Sequence, residues 1–194
     1  MGRPQAFDSN AAIEAAMSVF WDRGVHRTNV DDLLAATGLA RSSLYNSFGG
    51  KQALFEQAIA RYVEQQVGQL HRMFQGRSLK DGLQRLFDMA VEDNYGDKGC
   101  LLVNSASGLM PGEPTDQEFL RTAFEKIFSM LAQYVRVAQK NQELSEHLAE
   151  QAPEDIVAMI CSTLSGLRIF HKTGMPKAKL KKAAQLALAG MFLK

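Results

Sequence analysis

Cysteine is nearly missing from this chain: Cys100 and Cys161 are the only two in 194 residues. Two thiols cannot build a disulfide scaffold, and free thiols are expected. Proline is scarce and glycine is not enriched, which excludes collagen-like and low-complexity classes. No apolar run is long and uncharged enough to span a bilayer. The opening Met1, Gly2, Arg3, Pro4 and Gln5 lack the apolar stretch of a secretory signal, so a soluble cytoplasmic protein is expected. Catalytic signatures are missing as well. There is no G-x-S-x-G, no P-loop and no H-E-x-x-H. His26, His71, His147 and His171 show no ligand spacing, so no metal, cofactor or enzymatic role is expected. Neither sign of charge dominates, and the formal net charge is +1. Within residues 1–51, Arg3, Arg23, Arg27, Arg41 and Lys51 are matched in number by Asp8, Glu14, Asp22, Asp31 and Asp32. Any attraction for nucleic acid must come from where these charges point, not from their sum.

What is present is apolar periodicity of helical type, with 46% hydrophobic residues to build a core. A first helix is expected from Asp8 or Ser9 to Arg23, with Ile13, Ala16, Met17 and Phe20 in one stripe and Gly24 as its stop. A short second helix begins near Thr28. Thr28 is read as its cap, with Asp31 three residues on; Val30, Leu33 and Leu34 form its buried face. Gly38 breaks it and Leu39 plugs the corner. A third short helix covers 41–48, anchored by Leu44 and Phe48, and a fourth runs from Lys51 to Phe74. A fifth follows Ser78 as cap, the polar turn 95–99 leads into a sixth from about Cys100 to Gly108, and 110–114 is a loop. Thr115 with Glu118 reads as a capping box for a seventh helix, to about Asn141. Pro153 opens an eighth and Pro176 a ninth. The fold class is all-α: a three-helix N-terminal module (1–50) and a helical bundle (51–194), about nine helices in all.

The segment from Thr28 to Lys51 holds a short helix, a glycine turn and a second short helix, the helix-turn-helix pattern. In that motif the second helix enters the major groove of DNA. With Leu44 and Phe48 facing inward, Arg41, Ser42, Ser43, Tyr45, Asn46 and Ser47 occupy the other faces. Arg41 suits guanine or a phosphate, Asn46 suits adenine or a phosphate, and the small hydroxyls permit close approach. Taken singly, such residues are ordinary solvent-facing side chains; their grouping on this helix favours DNA.

The run D-D-L-L-A-A-T-G-L-A-R-S-S-L-Y-N-S-F-G-G-K-Q-A-L-F resembles the signature of the TetR family of transcriptional regulators. So do the opening G-R-P-Q-A-F-D and the stretch A-M-S-V-F-W-D-R-G-V, and the likeness is dense over residues 2–56. The resemblance implies that Thr28 touches a phosphate, that Ser42, Ser43, Tyr45 and Asn46 lie against the groove, and that Lys51 holds a phosphate at a helix N-terminus. Arg3 would reach the adjacent minor groove from a short arm. Ser47 stands where many relatives carry histidine or tyrosine. The resemblance further implies that residues from about 52 onward bind a small-molecule effector and form a homodimer, which reads a palindromic operator in double-stranded DNA and acts as a repressor released by ligand.

Two stripes, Ile156, Ile160, Leu164 and Leu167, and Leu180, Ala184, Leu188 and Met191, are read as the dimer interface, against the plainer reading that they complete the monomer core. Candidate pocket residues are Phe87, Met89, Phe119, Phe124, Phe128, Met130 and Tyr134, although for each one alone the core reading is the stronger. Asn104 stands among apolar neighbours, where a buried amide needs a partner. Cys100 follows Gly99 beside Lys98 at a helix start, which favours thiolate. The run G-C-L-L-V-N-S-A resembles that of TetR members sensing electrophiles or oxidants, so a thiol sensor is the alternative; the plain reading of Cys100 is a small buried hydrophobe. Lys177, Lys179, Lys181 and Lys182 make a basic run suited to an anionic membrane surface, or simply to a solvated helix face.

Overall fold

A computed structural model describes residues 7–92, 98–108 and 114–192. Arg3, most of the turn at 95–99 and most of the loop at 110–114 lie outside them. Among the described residues the regular structure is entirely helical: α1 (Ser9–Arg23), α2 (Val30–Thr37), α3 (Arg41–Phe48), α4 (Lys51–Phe74), α5 (Leu79–Glu92), α6 (Leu101–Ser107), α7 (Pro114–Lys140), α8 (Glu146–Ala149), α9 (Pro153–Lys172) and α10 (Lys177–Phe192). The all-α expectation holds, with one helix more than expected. The single turn α8 follows Ser145 and is too short to carry an apolar period.

Two compact units divide the chain. One comprises Met1–Glu64 with Asn104–Ala123, the other Gln65–Val103 with Phe124–Lys194. In the first, α1 starts at Asp8, whose carboxylate accepts from the amides of Asn10 and Ala11. It buries Ala12, Ala16, Met17 and Phe20. Ala12 takes the inward place expected for Ile13, which is only half-buried. Phe20 meets Phe55 of α4 edge-on at 5.2 Å, and Trp21 meets Tyr62 at 5.1 Å. Arg61 adds an ion pair to Glu14 at 2.9 Å. This α1–α4 seam is the frame on which α2 and α3 rest.

The second unit has one continuous core. Helix α5 packs against both α9 and α10, and Leu83, Leu86, Phe87, Val135, Val157 and Ile160 are fully enclosed. Gly82 is required by close approach: a Cβ there would lie 2.2 Å from the Phe74 ring. Phe74 in turn stacks on Tyr134 at 5.0 Å. Ser145 closes the far end, its amide donating to the Met191 carbonyl and its hydroxyl to that of Gly190.

The two stripes read as the dimer interface are corrected here. Ile156, Ile160, Leu167, Leu180, Ala184, Leu188 and Met191 are buried inside their own unit, and Leu164 packs against the same core. A monomer core and an interface carry the same apolar period, so periodicity could not separate them. The faces left open are different ones, with Met159, Ile169 and Phe170 exposed on α9 and Leu186 on α10.

Candidate nucleic-acid interface

The geometry of the N-terminal unit is set by its turns. Thr28 does not cap α2. It is buried, and its hydroxyl donates to the Gly24 carbonyl at 2.8 Å, locking the turn after α1. The cap is Asn29, one residue on. Its side chain accepts from the Asp32 amide at 2.8 Å, while the Asp32 carboxylate accepts from the Asn29 amide at 3.0 Å. This reciprocal box satisfies two free helix-end donors. The Asn29 amide holds the Asp32 carboxyl below its ordinary value, and Arg23, bonded to it at 2.5 Å, adds to the effect while partial burial opposes it. The sequence offered two adjacent pairs at the same spacing, Thr28/Asp31 and Asn29/Asp32, and composition could not choose between them.

Gly38 ends α2 in the left-handed region, Leu39 fills the corner, and α3 follows. Leu44 and Phe48 are buried, and Phe7 packs on the Phe48 ring at 5.8 Å. Arg41, Ser42, Tyr45, Asn46 and Ser47 are exposed, and Ser43 is half-buried. A short helix thus turns five polar side chains outward from an apolar anchor. Tyr45 is oriented by its neighbour. Gly50 is buried at φ +105°, and a Cβ there would stand 3.2 Å from the tyrosine ring, so the ring lies against bare backbone.

Lys51, at the start of α4, reaches back to the turn before α2. Its ammonium donates to the carbonyls of Val25 and Thr28 at 3.1 and 3.0 Å. Two of its three N–H donors are therefore used inside the unit. Arg41 bonds Asp31 of α2 at 2.6 Å. Arg27 is exposed in the turn before Thr28 and makes no hydrogen bond or ion pair among the described residues. Arg27 stands in R-T-N, directly before the locked turn.

The candidate effector residues do not gather in one unit. Asn104 belongs to the first, while Cys100, Phe124, Phe128 and Met130 belong to the second. There Phe124 and Phe128 meet edge-on at 6.4 Å, and Met130 is buried in the core. Phe87 is fully enclosed, whereas Met89 is half-buried with its sulfur 3.5 Å from the Gln69 amide nitrogen. The Tyr134 hydroxyl is hydrogen-bonded to His71 Nδ1 at 2.9 Å. Phe119 lies in the first unit, 6.5 Å from Phe55. Cys100 is buried immediately before α6. Burial pushes the Cys161 thiol up to about 12, with a further rise from nearby Cys100 and an opposing pull from Arg168. Among the described residues no group of His, Cys, Asp and Glu is placed to hold a metal ion, and no helix is long and apolar enough to cross a membrane.

Residues 12–58 match the family described as bacterial regulatory proteins, tetR family. The chain is 27% identical over 192 residues to the HTH-type transcriptional repressor ComR of Escherichia coli K12, covering 96% of this chain and 88% of that one. An uncharacterized HTH-type regulator, YezE of Bacillus subtilis 168, is 33% identical over 118 residues, 59% of this chain and 61% of its own. Among solved structures, the TetR family regulator CifR, as a cysteine mutant on a 26-base-pair operator, superposes with a TM-score of 0.81 at 26% identity, covering 98% of this chain and 100% of that one. With the helix-turn-helix geometry above, residues 12–58 match the DNA-binding part of the tetR family, and the chain is similar along nearly its whole length to transcriptional regulators of that kind.

Proposed function

We propose that the protein is a homodimeric repressor that reads a palindromic operator with α3 and is released by a small-molecule effector. One observation carries the DNA reading: α3 hides Leu44 and Phe48 and turns Arg41, Ser42, Tyr45, Asn46 and Ser47 to solvent. The likeness to a regulator solved on operator DNA supports it. In this reading Tyr45 and Asn46 meet the groove and backbone, Ser42 and Ser43 allow close approach, and Arg41 reads a base edge. Arg27 meets a phosphate. Thr28 and Lys51 act chiefly by fixing the turn that carries Arg27, with the remaining Lys51 proton open to a phosphate. Arg3, from the N-terminal arm, would add a minor-groove contact. Functionally, residues 1–50 form the reading domain and 51–194 the effector and dimer domain.

Dimerisation draws on the open apolar faces of α9 and α10, where Met159 and Phe170 are spaced for one helix face and the small residues Ser162 and Gly166 lie between them. A two-fold partner matches two reading helices to two half-sites. The effector must favour a dimer unfit for DNA, since a ligand binding both forms equally shifts nothing. Phe124 and Phe128 are its candidate contacts, with Met130 beside them in the core of the same unit.

The test is binding of the full-length protein to a selected duplex over a salt series. Affinity should fall steeply with salt. Tyr45→Ala should lose about tenfold or more, the scale of one or two good contacts, with helix content unchanged. Wild-type affinity in that variant would contradict the assigned face. A second reading, a thiol sensor, rests on Cys100 being a free cysteine placed directly before α6. Treatment with a thiol-selective electrophile should then release DNA from the wild type and not from Cys100→Ser.

A further inference from the structure

The first turn of α2 carries two acids where the proposed reading surface should attract phosphate. Asp32 has a structural duty: it closes the capping box with Asn29 and binds Arg23. Asp31 has none of these. It is highly exposed, takes no part in the cap, and among the described residues its carboxylate accepts a hydrogen bond from Arg41 alone, at 2.6 Å. Arg41 is the first residue of α3, whose own cap, Ala40, offers no side-chain bond. The pair therefore joins the first turn of α2 to the first turn of the reading helix across the solvent surface. An acid near a helix N-terminus is ordinarily explained by the helix dipole. That account does not explain why this carboxylate holds the one arginine on the reading helix.

We infer that Asp31 is a specificity-determining residue, which through its ion pair withholds the Arg41 guanidinium from the phosphates of incorrect sequences. This rests on the DNA reading above. A phosphate offers Arg41 the same kind of charge-assisted contact that Asp31 already supplies, so exchange gains little. Guanine offers two acceptors in the plane of the guanidinium, which a single carboxylate oxygen does not match. A site with the right base displaces or recruits the paired arginine; a site with phosphates alone does not. Non-specific affinity is thereby held down while the specific contact is kept. Asp31, one of the five acids that balance the cations of residues 1–51, is then part of the discrimination and not a defect of a DNA-binding surface.

The experiment compares binding of the full-length dimer to two labelled duplexes of equal length, one carrying the inverted repeat selected by the wild type and one scrambled, over a salt series. Asp31→Asn should raise affinity for the scrambled duplex about threefold and steepen its salt dependence by about one ion, as one added phosphate contact does. The ratio of specific to non-specific affinity should fall by a similar factor. Asp31→Glu, which keeps the charge, should restore most of the ratio. In an Arg41→Ala background, Asp31→Asn should leave the ratio unchanged. A ratio unaltered by Asp31→Asn, or altered equally without Arg41, would overturn the inference, because a general loss of negative charge does not need the arginine. A wild-type protein that binds neither duplex would overturn the DNA reading and this inference with it.

Discussion

Asn29 and Asp32 decide where the second helix begins, and their contribution is measurable. Asn29→Ala should destabilise the protein by about 0.5–2 kcal/mol, the usual effect of losing a cap, read as a lowered thermal midpoint. The acid response has a definite sign. The Asp32 carboxyl is held below its ordinary value of 3.8, first by the Asn29 amide. Its contribution to stability is therefore full above that value and is lost as pH falls through the lower, folded-state value. Asp32→Asn should flatten the acid limb of a stability–pH curve; an unchanged limb would show that the box adds nothing there. At Cys161 the thiol is pushed up to about 12 by burial. At pH 8 the native protein should alkylate there only on unfolding, which peptide mapping after iodoacetamide treatment resolves.

Helix starts and stops were legible where one residue type has one role. Gly24, Gly38 and Gly49 lie at positive φ at the ends of α1, α2 and α3, and Pro153 is at the first position of α9. Adjacent residues of similar chemistry were not, which is why Thr28 was read as the cap that Asn29 supplies. The helix α8 was invisible because one turn has no period. The close approach of α5 to Phe74 also leaves no trace in sequence beyond a glycine inside an otherwise strong helix. Gly82→Ala should overpack this contact and destabilise by about 1–3 kcal/mol, and Phe74→Leu in the same chain should recover part of the loss by making room. Full stability in Gly82→Ala alone would mean that the Phe74 ring moves aside freely.

At the scale of the whole molecule, the sequence did not separate the bundle's core from its outer faces. Apolar stripes on α9 and α10 predicted an interface, and those stripes proved to be interior. The exposed Met159, Ile169, Phe170 and Leu186 stand on the remaining faces. Because these side chains are outside the core, Met159→Glu combined with Phe170→Glu should yield a folded monomer by sedimentation, with helical content retained and operator affinity much reduced. A dimer surviving those charges would place the interface elsewhere. The exposed polar face of α3 was more legible than the bundle, since a polar helix beside a glycine turn is a local pattern. Its charge arrangement was not, because the Asp31–Arg41 pair depends on how two helices meet.

The central claim, that α3 reads a palindromic operator, is most directly tested by incubating the purified full-length protein with sheared genomic DNA and sequencing what it retains. The account predicts enrichment of one inverted repeat with half-sites about one helical turn apart or a multiple of it, lost in Tyr45→Ala. Retention of DNA without any shared sequence, or equal enrichment by Tyr45→Ala, would contradict it.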